Sequence, residues 1–208
     1  MLITVTGRGG HASQPHLALD PIPIACEIVQ ALQMMVTRTV DVFDPTVVTV
    51  GRITAGTTNN VIPETAVIEG TIRAISERTR NKVRDGIRRV AEGVSAAHDA
   101  QVTVEFQDGY PVTVNNPGSA DFALDVAGDV VGEKATVRLP NPIMGAEDFS
   151  YVLNRVPGAM LFLGGTPVDR DPSKAAPNHS NRVVFDEGAM VNGIAVYGAM
   201  ALQHLARA

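Results

Sequence analysis

The 208-residue chain predicts a mixed α/β fold. A ferredoxin-like βαββαβ unit fills roughly the first 110 residues, and a partial α/β layer follows. Three observations carry this. Short alternating runs (Leu2–Thr6) and longer β-branched runs (Val47–Ile53, Ala66–Ile75) have the period of strands. Two segments, after Asp20 and after Glu77, have the 3.6-residue apolar period of helices. Beyond Pro111 the alternation stops and turn clusters take over.

Leu2–Thr6 reads as a half-buried strand. Gly7-Arg8-Gly9-Gly10-His11-Ala12-Ser13-Gln14-Pro15-His16 is a pliable loop with two imidazoles. Asp20-Pro21 starts a helix with proline at its first position. Ile24, Ile28, Ala31, Leu32 and Met35 give that helix its apolar stripe, to about Arg38. Strands at 47–53 and 66–75 flank the polar connection 55–64. Glu77 to about His98 is a charged helix with Val83, Ile87, Val90, Ala91 and Val94 buried. Gln101–Phe106 closes the pattern as a fourth strand. Such a sheet has helices on one face only, so its bare edges predict association of two copies.

After the turn cluster Asn115-Asn116-Pro117-Gly118, helix is expected at 118–131 and strand at 135–139. The polar elbow Met144–Phe149, a short helix and a buried strand at 159–163 follow. A helix from about Asp186 to Leu205 ends the chain and reads as buried rather than membrane-spanning, because Asn192, Gly193 and Gly198 interrupt it. Two strands make too little sheet for a closed layer. That shortfall and the abrupt start in a strand predict the C-terminal portion of a longer protein.

Net charge of −5 with no basic cluster speaks against nucleic acid as a partner. The single cysteine, Cys26, predicts a reducing, cytoplasmic setting, and its place in the first helix predicts packing. No charged-then-apolar leader opens the sequence, so secretion is not expected.

His11 follows a Gly-Gly pair that permits close approach of a ligand, and imidazole suits a developing negative charge near neutral pH. A surface turn histidine is the commoner case, and that alternative stays open; His16 keeps its own, a hydrogen bond near the helix start. His179 lies in Pro177-Asn178-His179-Ser180, a loop suited to a metal ligand. One histidine makes no site, and no ligand partner stands near it in sequence. Arg73, in a strand, offers a planar fork to a carboxylate, or is an ordinary exposed arginine. Asn60 closes the polar loop ahead of Val61-Ile62-Pro63. Glu147 and Asp148 form a carboxylate pair at a helix start, where the macrodipole alone would favour them.

Together these segments resemble the metal-dependent amidohydrolases and peptidases that include aminoacylases, hippurate hydrolases, auxin-conjugate hydrolases and carboxypeptidases. Four stretches carry the resemblance in order. They are Gly9-Gly10-His11-Ala12 with Pro15-His16 and Asp20-Pro21; Asn60–Glu64 with Gly70–Arg73; Met144–Phe149; and His179-Ser180 with Phe185-Asp186-Glu187.

The resemblance implies a lid and dimerisation domain over 1–113 and the end of a catalytic domain over 114–208. It implies hydrolysis of N-acyl amino acids or related small amides and peptides. It also implies a divalent metal (Zn, Mn or Co) in the complete enzyme and a homodimer joined through the lid. His11 becomes the lid histidine that reaches across the dimer to an oxyanion. Asn60 and Arg73 become substrate-binding, with Arg73 at the carboxylate. His179 becomes a metal ligand, and Glu147 falls in a motif near the catalytic centre. Family members also carry a Cys-Gly-His-Asp segment, a Glu-Glu pair and another histidine, which this chain lacks. The chain alone is therefore expected to be inactive, its upstream half missing or supplied by another polypeptide. The alternative is a non-catalytic dimerisation or small-molecule-binding module.

Overall fold

The computed structural model describes residues 1–207, and the chain divides into two compact units. The first is Met1–Val112 with Pro142–Glu147. Its strands are β1 (Leu2–Thr6), β2 (Gly10–His11), β3 (Thr46–Ala55), β4 (Val61–Ile62), β5 (Thr65–Ala74) and β6 (Gln101–Glu105). Its helices are α1 (Pro21–Thr39) and α2 (Glu77–Ala97). The four long strands lie in the order β3-β5-β1-β6, all antiparallel, which is the expected ferredoxin-like arrangement. The two-residue strands β2 and β4 pair separately and were not visible as strands in the sequence.

Both helices bury the expected stripes on one face of this sheet. Ile24, Ile28, Leu32 and Met35 of α1 meet Val83, Ile87 and Ala91 of α2 over Ile3, Val5, Val48 and Ile68. Asp20 caps α1 by accepting from the Ile22 N–H at 2.9 Å. Ser76 caps α2 through the Thr79 N–H at 3.1 Å. A side chain at Gly86 would meet the Met35 sulfur at 2.8 Å, so glycine there lets the helices close. Gly51 is an extra residue in β3: Val50 faces Gly70, and Arg52 already faces Glu69.

Cys26 does not pack. It is exposed, because it falls between the turns of the buried positions Ile24, Ala25 and Ile28.

After β6 the chain runs back along α2. The Phe106 ring lies 5.3 Å from the Arg88 guanidinium and 5.4 Å from that of Arg84. Asp108 pairs with Arg84 at 2.5 Å, and the Tyr110 carbonyl accepts from Arg80 at 3.2 Å. Arginines one turn apart thus hold alternate linker residues.

The second unit is Thr113–Asn141 with the chain from Asp148 onward. It holds α3 (Pro117–Val131), α4 (Ser150–Leu153) and α5 (Ala189–Leu205). Asn116 caps α3 through the Ser119 N–H at 3.0 Å, and α3 ends at Gly132, whose φ of 92° glycine tolerates.

Three expectations fail here. Residues 135–139 form no strand; a 3-10 turn occupies Glu133–Ala135 and Val137 and Leu139 are exposed. Residues 159–163 are extended but form no strand, and Phe162 is 61 % exposed. Met160 finds one partner, the Asn115 amide, which both donates to its carbonyl and accepts from its N–H. A buried strand needs neighbours on both edges, and the described residues supply only Asn115 and Asn116 along 158–160. Helix α5 is not buried: Ile194 is 73 % and Tyr197 81 % exposed, and none of its residues is in the core. Among the described residues no helix is long and apolar enough to cross a membrane.

Candidate functional site

The glycines of the first loop bring backbones together rather than opening torsions. A side chain on Gly7 would stand 2.1 Å from the Leu19 carbonyl oxygen, and one on Gly10 2.8 Å from Ala18 Cβ. Arg8 and Leu19 exchange hydrogen bonds of 2.9 and 2.8 Å across that approach. The loop is thereby folded back, and β2 is laid against β4.

That pairing brings two of the predicted residues together. His11 faces Val61, and the Ala12 N–H donates to the Asn60 carbonyl at 3.1 Å. Both His11 and Asn60 are exposed. The Asn60 side-chain oxygen accepts from the Thr58 hydroxyl at 3.2 Å. The His11 ring is anchored by a residue that the sequence did not single out. Its Nδ1 lies 3.1 Å from the Ser13 backbone nitrogen and 2.7 Å from the Ser13 hydroxyl. The signal was present: a serine two residues after the histidine, in a tight turn closed by the Gln14 N–H donating to the His11 carbonyl at 2.9 Å.

Arg73 lies elsewhere. Thr6 pairs with Thr65 at the His11 end of the sheet, and Arg73 pairs with Val47 toward the far end of β5. Eight residues of strand separate Thr65 from Arg73, or about 26 Å. There the Arg73 Nη1 donates to the Met144 carbonyl at 3.0 Å, which sets it against the segment containing Glu147. Arg73 and the Met144–Glu147 stretch are thus neighbours, while His11 and Asn60 form a separate cluster.

His179 belongs to the second unit and is exposed. Its φ of 71° puts it in the left-handed region, inside a turn closed by the Ser180 N–H donating to the Pro177 carbonyl at 3.1 Å. Among the described residues no three His, Cys, Asp or Glu side chains come together to hold a metal ion. The donor set of this chain is short of the three or four ligands that a divalent ion such as Zn takes from protein.

Residues 1–99 match the family model described as a peptidase dimerisation domain, M20_dimer. The chain carries the dimerisation domain of the M20 peptidases. It is 36 % identical over 204 residues to thermostable carboxypeptidase 2 of Saccharolobus solfataricus, covering 97 % of this chain and 50 % of that protein. It is 38 % identical over 195 residues to N-acetyldiaminopimelate deacetylase of Leuconostoc mesenteroides, covering 92 % and 48 %. Hippurate hydrolase of Campylobacter jejuni is 33 % identical over 203 residues, with 98 % and 51 % covered. Among solved structures, a dinuclear metal-binding M20 peptidase from Bacillus subtilis superposes with a TM-score of 0.71 at 25 % identity, covering 98 % of this chain and 49 % of that one. The chain spans about half the length of the curated relatives it matches.

Proposed function

We propose that this chain provides the lid and the C-terminal catalytic segment of a metal-dependent amidohydrolase. Its substrates are N-acyl amino acids or related small amides and peptides. The observation that carries the reading is the His11 turn, held rigidly beside Asn60 on a dimerisation domain. The names carboxypeptidase, N-acetyldiaminopimelate deacetylase and hippurate hydrolase all describe amide hydrolysis next to an amino acid.

In this reading His11 donates a hydrogen bond to the oxyanion that forms when the amide carbonyl is attacked. Removing such a donor costs about 2.7–4 kcal/mol of transition-state stabilisation, or 10²–10³ in kcat. Asn60 holds the substrate, and the Arg73 guanidinium binds its carboxylate through a planar fork. His11 and Arg73 stand at opposite ends of one sheet, so one lid does not present both to a single small substrate. A homodimer joined through the lid resolves this, with His11 serving the partner's centre.

His179 is assigned as one metal ligand, and Glu147 a place near the reacting groups. The dinuclear metal binding of the Bacillus subtilis M20 peptidase supports a divalent ion in the complete enzyme. This chain alone does not fit one, so the remaining ligands and the base that activates water are assigned to the absent half. The single Cys26 supports a cytoplasmic setting.

The test reads the reading frame upstream of Met1 and assays both products on N-acetyl and N-benzoyl amino acids with Zn, Mn or Co. Turnover is expected only from the extended product. Metal-dependent turnover by this chain alone would overturn the division of labour. An upstream frame without the Cys-Gly-His-Asp segment and the Glu-Glu pair would favour the non-catalytic module.

A further inference from the structure

We propose that Ser13 is a positioning residue that fixes the His11 ring as the tautomer with its proton on Nε2, making His11 a hydrogen-bond donor and not a proton acceptor. The inference rests on the hydrolase reading for its purpose, but its physical basis is independent of it. The Ser13 backbone nitrogen lies 3.1 Å from His11 Nδ1. A backbone N–H only donates, so Nδ1 must offer its lone pair. In a neutral imidazole the one proton then sits on Nε2. The Ser13 hydroxyl, 2.7 Å from the same nitrogen, rotates to donate as well.

The anchor is rigid. The turn is closed by Gln14 N–H on the His11 carbonyl, and its flank by Ala12 N–H on the Asn60 carbonyl. Nδ1 is therefore turned back into the protein's own turn, and Nε2 is on the opposite edge of an exposed ring. Catalytic imidazoles that act as bases have Nδ1–H held by a carboxylate, which leaves a lone pair on Nε2. No ion pair or carboxylate contact to His11 is found among the described residues. The serine inverts that polarity. His11 offers an N–H to developing negative charge and does not take a proton from water.

The decisive experiment is a long-range ¹H–¹⁵N correlation of the imidazole rings in the ¹⁵N-labelled chain at about pH 8.5, above the ordinary imidazole range. His11 is assigned from the spectrum of His11→Gln, and His16 in the next turn is the internal reference. The Nδ1–H form of His11 is expected to be several-fold rarer than that of His16. Ser13→Ala should raise its share about threefold or more, the size of one exposed hydrogen bond, and Ser13→Thr should restore it. Equal shares in His11 and His16 overturn the tautomer assignment, and no response to Ser13→Ala overturns the part given to the Ser13 hydroxyl.

In the extended enzyme Ser13→Ala should lower kcat with KM nearly unchanged, and should add nothing to His11→Gln. Additive losses would also overturn it. If the extended enzyme shows no turnover while the spectra behave as expected, the hydrolase reading fails and the tautomer assignment stands.

Discussion

Gly7→Ala tests whether the whole His11 loop depends on one backbone approach. The new methyl would stand 2.1 Å from the Leu19 carbonyl oxygen, about 1 Å short of an ordinary contact. Neither atom can yield as the end of a flexible side chain would, because the oxygen is backbone and the methyl is fixed to its Cα. Separating the strands breaks the two Arg8–Leu19 hydrogen bonds, of 2.9 and 2.8 Å, worth about 1 kcal/mol each. Residual overpacking adds about 1–3 kcal/mol. The expected loss is roughly 3–5 kcal/mol, a large share of the 5–15 kcal/mol typical of a domain. Urea unfolding, followed through NMR signals of core residues such as Ile3 and Ile87, reads the first unit alone. With a slope of about 1–3 kcal/mol per molar, the midpoint should fall by roughly 2 M. Gly93→Ala is the control. Its methyl meets nothing within 4 Å, one turn before the end of α2, so helix propensity should raise stability by up to about 1 kcal/mol. A Gly7→Ala chain within about 0.5 kcal/mol of the parent would refute the reasoning.

The Asp108 carboxyl is held below its ordinary range by the hydrogen bond from Arg84 and then by that guanidinium's charge. A depressed folded value means that the pairing stabilises fully above the unfolded value of about 3.9 and is lost as pH falls below it. Amide protection over residues 106–112, corrected for intrinsic exchange, should therefore fall only in acid, and Asp108→Asn should remove that acid dependence; identical profiles would contradict it. Ile87→Ala, in the core at 0 % exposure, should cost about 2–5 kcal/mol, whereas Ile194→Ala on α5 should cost under about 0.5 kcal/mol by urea unfolding. A large loss at Ile194 would mean that α5 is covered in solution. Equilibrium dialysis against Zn should leave no tightly held equivalent on this chain, and one retained equivalent that His179→Ala abolishes would show a complete site.

The first unit was legible because each local signal agreed with its surroundings. Ile24, Ile28 and Leu32 repeat with the helix, Ile3 and Val5 alternate with the strand, and all are fully or nearly buried against one another. The second unit departs from its sequence pattern for the same physical reason in reverse. Leu161, Phe162 and Leu163 have the composition of a buried strand, and Ile194 and Tyr197 that of a buried helix, yet the described residues leave them 38 to 81 % exposed. Apolar sequence records what a segment packs against, including partners outside the chain. At the candidate site, His11 and Asn60 stood out by type, but their adjacency comes from the two-residue pairing of β2 with β4, which has no periodic signature. Ser13 escaped notice because its contact with His11 is purely local and polar.

The strap along α2 fixes a length. Arg88, Arg84 and Arg80 recur every four residues, about 6 Å of helix, and Phe106, Asp108 and Tyr110 recur every two, about 6.6 Å of extended chain. Helix and linker therefore run as two rulers with nearly equal divisions. One inserted or deleted residue between Phe106 and Tyr110 would put the tape out of step and turn alternate side chains to the wrong side. The spacing of this short stretch is thus under a metric constraint, although none of its residues is a candidate site residue.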